Sequence, residues 1–321
     1  MKLMKNIKLI GIPFDFGQEL GGVRCAYDHL KKNGLNARLQ KISKVVDLGE
    51  IKYPVKVKED RIDGIKYLKQ SSIANKTISE TLENLDLNDS FLLNIGGDHG
   101  MALGSVHGVL SQNSESIVIW ADAHGDVNTP ETSPSGNFHG MPVAFLLGIV
   151  KHPQFDWIRH YLLPERLILI GPRDLDAGEI EIIQRYGIQF FSSADLNRMG
   201  GREVLETALH RVDPRGIRPI HLSFDVDLFD KHDVYSTGTK VSDGPNYQEV
   251  FTLGKILGET GRLKSMDLVE FNPQIGQENE VKASTDLILN FLETTLGSVF
   301  SSKVIEAKKD FLFKALDKNL L

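Results

Sequence analysis

Several short runs of β-branched and other apolar residues are hydrophobic at every position rather than at alternate ones, and this feature limits the fold most. A strand with one wet face alternates, whereas a strand apolar on both faces is covered on both. The strand candidates are residues 7–12, 45–48, 91–95, 117–121, 167–170, 188–191, 220–224 and 265–269, and those at 117–121 and 167–170 carry no polar residue. Each leads into a polar or glycine-rich break, and longer helical patterns lie between them, as at 71–85, 177–186, 201–212 and 247–261. Strand–helix alternation of this kind predicts an α/β fold with a doubly wound, mostly parallel sheet and helices on both faces. At about 150 residues per domain the 321 residues would allow two domains, but no Pro/Ser-rich linker, low-complexity tract or internal repeat divides them. Residues 1–321 are therefore read as a single domain. Leu287, Phe291, Leu292, Leu296 and Phe300 mark a late helical face. The tail 301–321 adds Phe311, Phe313, Leu316 and Leu320 among lysines and aspartates. It reads as a short amphipathic helix, packed on the domain or used in an oligomer contact.

Lys and Arg number 37 against 43 Asp and Glu, a net charge of −6, and no stretch is basic enough to form a nucleic-acid surface. No apolar stretch approaches the roughly 20 residues that span a bilayer. The lone Cys25 forbids an intrachain disulfide and any thiolate cluster. Residues 9–14, broken by Gly11 and Pro13, read as a first strand and lack the continuous apolar core of a secretory signal. These features point to a cytoplasmic enzyme or binding protein.

Three breaks after apolar strands concentrate Asp and His. They are Gly96-Gly97-Asp98-His99, Asp122-Ala123-His124-Gly125-Asp126 and Asp225-Val226-Asp227. In a parallel sheet the C-terminal strand ends share one edge, where ligand sites form. Extended chain turns residues i and i+2 to one side, so Asp122, His124 and Asp126 can converge, as can Asp225 and Asp227. Each piece also has a plain structural role: the Gly-Gly pair makes a tight turn, and Asp225-x-Asp227 caps a following helix. Taken together, four carboxylates in one pocket cannot all stay ionised without a compensating cation. Two divalent ions balance them, and an oxygen-rich set with His99, His124 and no sulfur suits Mn²⁺ better than structural Zn²⁺.

With those motifs in that order, the sequence resembles the ureohydrolase superfamily and, within it, the arginase family, from the first strand to about residue 300. The resemblance implies two Mn²⁺ ions per chain. His99, Asp122, Asp126 and Asp225 would hold one, and Asp122, His124, Asp225 and Asp227 the other, with Asp122 and Asp225 bridging. It also implies hydrolysis of L-arginine to L-ornithine and urea by a metal-bridging hydroxide. Asp227 would orient the water, Glu270 would face the guanidinium and His139 would shuttle protons. The loop 128–140 resembles the family's substrate loop, in which Asn128, Ser135 and Asn137 would meet the α-carboxylate. Asp176 would meet the α-ammonium, Glu179 would support it, and Thr239 would help place the ligand. Capping a helix is the competing role for Asp176 and Glu179. A trimer or hexamer is the expected assembly, with neither nucleic acid nor membrane as a partner.

The chain departs from the family pattern at Gly100 and Gly125, where a hydroxyl or other residue is common, and at Lys231 and Lys240, where proline is common. Residues 22–27 lack a usual Gly-Pro pair, and Pro134 enters the substrate loop. None removes a metal ligand. The alternatives are an agmatinase or another amidinohydrolase with the same centre, and a metal-bound protein that no longer turns over.

Overall fold

The computed structural model describes residues 4–54 and 61–301, so the expected tail helix falls outside the described residues. Eight strands form one sheet: β1 (Asn6–Ile12), β2 (Lys44–Glu50), β5 (Ser90–Gly96), β6 (Ile117–Ala121), β7 (Leu167–Gly171), β8 (Gln189–Ser192), β9 (Ile220–Asp225) and β10 (Leu263–Val269). Two short strands, β3 (Arg61–Ile62) and β4 (Ile65–Lys66), make a separate antiparallel hairpin. The main sheet runs β2-β1-β5-β10-β9-β6-β7-β8, and every printed pairing in it is parallel. The predicted doubly wound α/β sheet is the one observed.

The continuous hydrophobicity of β6, and of β7 up to its last residue, follows from the two layers that cover them. In β1, Ile7 and Leu9 enter one core while Ile10 and Ile12 enter the other. In β6, Ile117, Ile119 and Ala121 face the first core, and Val118 and Trp120 the second. The first layer contains α1 (Ala26–Lys32), α2 (Leu35–Gln40), α7 (Ser193–Met199), α8 (Gly201–Val212), α9 (Tyr247–Glu259) and α10 (Glu278–Val299). Phe291 of α10 anchors it, stacked on Phe224 of β9 at 4.2 Å and edge-on to Phe229 at 5.9 Å. The second layer contains α3 (Leu68–Glu83), α4 (Ala102–Gln112), α5 (Pro142–Leu146) and α6 (Ala177–Tyr186). Each fully buried Leu, Ile or Phe contributes about 1.5–3 kcal/mol, which makes the two-sided cover the main source of stability.

Helix α4 carries two glycines that propensity alone disfavours. A Cβ on Gly104 would stand 2.5 Å from the carbonyl oxygen of Asn75, and one on Gly108 would stand 2.8 Å from Leu82 Cβ. The glycines let α4 lie directly on α3. That packing fixes the segment after β5, and β5 delivers the first of the three motifs to the sheet edge.

Candidate active site

All three motifs leave the C-terminal ends of parallel strands, at β5, β6 and β9, and Glu270 follows β10 in the middle of the same edge. At the end of β5 a Cβ on Gly97 would stand 1.6 Å from the Phe14 carbonyl oxygen, so only glycine lets the chain turn against the 13–17 loop. His99 then starts a short 3₁₀ turn, Asp225 caps another over Val226–Leu228, and two non-glycine residues take left-handed backbone, Asp126 at φ 51° and Glu270 at φ 63°. Such conformations persist where surrounding structure over-determines them, and they cluster at functional sites.

Local hydrogen bonds use one end of His99, Asp225 and Asp227 and leave the other facing inward. His99 Nε2 meets Ser223 Oγ at 2.8 Å, its ring stacks on Trp120 at 4.0 Å, and Nδ1 points at the carboxylates. From His99 Nδ1 it is 2.8 Å to Asp122 Oδ2, 3.0 Å to Asp126 Oδ2 and 3.3 Å to Asp225 Oδ2. Asp225 Oδ1 accepts the Asp227 N–H at 2.8 Å, and Asp227 Oδ1 accepts the Ala123 N–H at 3.2 Å. Asp227 Oδ2 lies 3.2 Å from His124 Nδ1, and Asp122 Oδ1 lies 3.3 Å from the same nitrogen. Two groups of ligand atoms result, His99–Asp122–Asp126 and Asp122–His124–Asp227, and they share Asp122. Asp225 stands beside the first group. The helix-capping role weighed for Asp225 is therefore present, but it occupies only one of its two oxygens.

The electrostatics demand positive charge here. Burial, then Asp227 and Asp122, push Asp225 well above the ordinary carboxylate range, and burial with Asp122 pushes Asp126 up to about 6. Burial opposes a charged His99, yet Asp122, Asp126 and Asp225 overcome it and hold the imidazole well above its usual range. His124 is likewise raised against burial, by Asp227 and Asp122. His99 Nδ1 and Asp227 Oδ2 are buried and lack a hydrogen-bond partner among the described residues. A converging set of carboxylates and imidazoles with inward lone pairs fits a pair of divalent cations, and the absence of sulfur fits hard or borderline ones.

Beside this cluster a cleft of about 250 Å³ is lined by His99, His124, Asp126, Asn128, Ser135, Asn137, His139, Asp176, Glu179, Asp225, Thr239 and Glu270. Of the fourteen site residues singled out in the sequence, twelve line it, and Asp122 and Asp227 do not. A larger cleft of about 400 Å³, lined by Leu85, Val109, Ile217 and Lys264 among others, opens at the N-terminal strand ends, away from the histidines and the carboxylate cluster. Asn128 Nδ2 donates to Asp176 Oδ2 at 2.8 Å while Thr132 Oγ1 donates to Asn128 Oδ1 at 2.9 Å. Ser135 Oγ accepts the Asn137 N–H at 3.1 Å, and Lys66 N–H of β4 donates to the Gly136 carbonyl at 2.9 Å, so the hairpin steadies this loop. Asp176 and Glu179 form a reciprocal capping box at the start of α6, and Glu179 Oε2 accepts the Asp176 N–H at 3.0 Å. Both residues thus cap a helix and line the cleft. Burial raises Glu179 to about 7.

His139 Nδ1 lies 3.0 Å from Glu270 Oε1, which also accepts the His99 N–H at 2.8 Å. Burial works against a charged His139, but Glu270 and then Asp98 outweigh it and raise the group to about 9. At neutral pH it is an imidazolium.

Two departures from the family pattern have local causes. A Cβ on Gly100 would stand 2.8 Å from Asp98 Oδ1 and 2.9 Å from the Phe14 and Phe138 rings. One on Gly125 would stand 2.9 Å from Glu179 Oε1 and from Leu175. Sequence reading missed Arg173, whose guanidinium donates to the carbonyls of Asp227 at 2.8 Å, Ser242 at 3.0 Å, Phe229 at 3.1 Å and Leu228 at 3.2 Å. It ties the segment that carries Asp227 to the one that follows Thr239. No motif signals this, because its partners are main-chain atoms.

Comparison with known proteins gives one family. The model of the Arginase family matches residues 5–293. Mitochondrial arginase-2 of Rattus norvegicus is 34% identical over 300 residues, covering 91% of this chain and 85% of the rat protein. The arginase of Glaciozyma antarctica is 36% identical over 299 residues, covering 90% of this chain and 87% of its own. The crystal structure of Entamoeba histolytica arginase in complex with L-ornithine superposes with a TM-score of 0.83 at 31% identity, covering 92% of this chain and 100% of that one.

Proposed function

The chain belongs to the arginase family and is a hydrolase acting on arginine; from that premise we propose that it converts L-arginine to L-ornithine and urea at two Mn²⁺ ions. His99, Asp122, Asp126 and Asp225 hold one ion in this reading, and Asp122, His124, Asp225 and Asp227 hold the other. The ions, when bound, supply Lewis acidity and lower the pKa of water. The observation that carries the proposal is the convergence of His99, His124 and four aspartates on shared inward-facing atoms, with Asp122 in both groups.

The chain's own residues do the rest. Asp227 orients a water through the oxygen it does not give to Ala123 N–H. Glu270, buried and fixed by His99 N–H, places a carboxylate for the cationic guanidinium. His139 holds a proton at neutral pH and passes it from its ring toward the departing amine or out to solvent. Asn128, Ser135 and Asn137 offer neutral donors to the α-carboxylate, Asp176 meets the α-ammonium, Glu179 fixes Asp176, and Thr239 closes the outer wall. Pairing the ammonium's acceptor with a carboxylate's donor, Asp176 with Asn128, suits an amino-acid headgroup that carries both charges.

A single domain in the cytoplasm, assembled as a trimer or hexamer, completes the reading. Its support is the one eight-stranded sheet around which the described residues pack and the free thiol at Cys25. Light scattering on the purified protein tests the assembly. Urea release from L-arginine and from agmatine, with Mn²⁺ added, tests the function: arginine turnover is expected. Faster turnover of agmatine would reassign the substrate, and no release from either would remove the proposal.

A further inference from the structure

Asp98 is fully buried, and among the described residues no lysine or arginine forms an ion pair with it. Its Oδ1 accepts the Gly100 N–H at 2.9 Å, the local cap of the 3₁₀ turn that starts at His99. Capping needs one oxygen. The other, Oδ2, accepts the N–H of Gly17 at 2.8 Å, a residue 81 positions earlier in the chain. Gly17 in turn uses its carbonyl to accept the His139 N–H at 3.0 Å. The peptide of Gly17 is therefore clamped between the Asp98 carboxylate and the backbone of His139. No larger residue fits there: a Cβ on Gly17 would stand 2.1 Å from Asp98 Oδ1 and 2.8 Å from His139 Cβ. On its far side the same histidine meets Glu270 at 3.0 Å.

We infer that Asp98 is a positioning residue for the reaction, acting through the Gly17 peptide to hold His139 against Glu270. The inference rests on the reading of His139 as the proton carrier. Asp98 touches neither substrate nor reacting atoms. Its Oδ2 fixes where the 14–17 loop lies, and the Gly17 carbonyl fixes the main chain from which the imidazole projects. A small displacement of an acid–base group costs heavily in turnover, because proton transfer needs hydrogen-bond reach.

A double-mutant cycle on the full-length, Mn²⁺-loaded enzyme tests this, using D98N, H139A and the combination, with kcat, KM for L-arginine, metal content and thermal unfolding measured for each. If Asp98 works through His139, D98N lowers kcat on the order of 10- to 100-fold. KM and metal content stay near those of the unmodified enzyme, and in the H139A background the same change costs no more than about twofold. An equal fold-loss in both backgrounds, an unchanged kcat, or a loss that follows the metal content would overturn the inference. If D98N does not fold, D98S, which keeps a side-chain oxygen for the Gly100 N–H cap, runs through the same cycle. A fully active H139A would overturn the proton-carrier reading itself. An impaired H139A with additive Asp98 losses would overturn only the positioning role.

Discussion

Asp176 does two jobs in this fold, and one substitution pair separates them. It opens α6 in a capping box with Glu179, and it presents Oδ2 to the cleft, where Asn128 Nδ2 approaches at 2.8 Å. Replacing it with serine keeps a good N-cap but removes the charge, whereas alanine removes both. The cap is worth about 1 kcal/mol, so Asp176→Ala should unfold at lower denaturant by that amount and Asp176→Ser should differ by only a few tenths. A hydrogen bond to a charged partner contributes roughly 1.5–3 kcal/mol. At about 1.4 kcal/mol per tenfold, both variants should therefore lose on the order of 10- to 100-fold in kcat/KM for arginine. Agmatine retains the ammonium and lacks only the carboxylate, so its turnover should fall by a similar factor. Urea release from both substrates and equilibrium denaturation, each measured on both variants, give the six numbers. Wild-type kcat/KM in Asp176→Ser would refute the ammonium contact, and equal destabilisation of the two variants would refute the division between cap and charge.

Asn137→Ala should lower kcat/KM for arginine about 10-fold or more, through loss of a donor to the carboxylate, and leave agmatine turnover near its original value; a parallel loss on both would move Asn137 out of that role. Elemental analysis of Mn²⁺-reconstituted protein should find two ions per chain, with Asp227→Ala reducing the content toward one; trace metal in the unmodified protein would remove the centre. Glu179 titrates near 7 in the fold against 4.5 unfolded, because of burial, so the folded state binds the extra proton and stability falls as pH rises through that window. Glu179→Gln should flatten that fall, an effect on the order of 3 kcal/mol when denaturation is compared between pH 4.5 and 7.5; identical pH profiles would show that Glu179 ionises freely.

The central strand β6 was legible because both sheet faces are covered there, which leaves no polar position to blur it; residues 117–121 match it end for end. The clustering of the Asp/His motifs was legible because β5, β6 and β9 carry theirs into the turn directly after the strand. Helix α4 was not, because Gly104 and Gly108 break the apolar periodicity and their place is set by α3 rather than by local preference. Arg173 and Asp98 escaped notice as well. Both act on backbone groups far away in sequence, at Asp227 and Gly17, and main-chain partners leave no mark on residue spacing. Even the Asp176 ambiguity was a property of the molecule, since one carboxylate both opens α6 and lines the cleft.

The place of β10 has a consequence for synthesis. Among the described residues it is the last strand to be made, yet it lies between β5 and β9 and touches both. Until residues 263–269 have left the ribosome, the nascent chain can build only two separate half-sheets, β2-β1-β5 and β9-β6-β7-β8, each with a raw hydrophobic edge. His99 belongs to the first half, and Asp122, His124, Asp126, Asp225 and Asp227 belong to the second. The two sets of candidate ligands meet only when β10 zips the halves together, so a chain lacking residues 263–269 holds neither half of the centre in place.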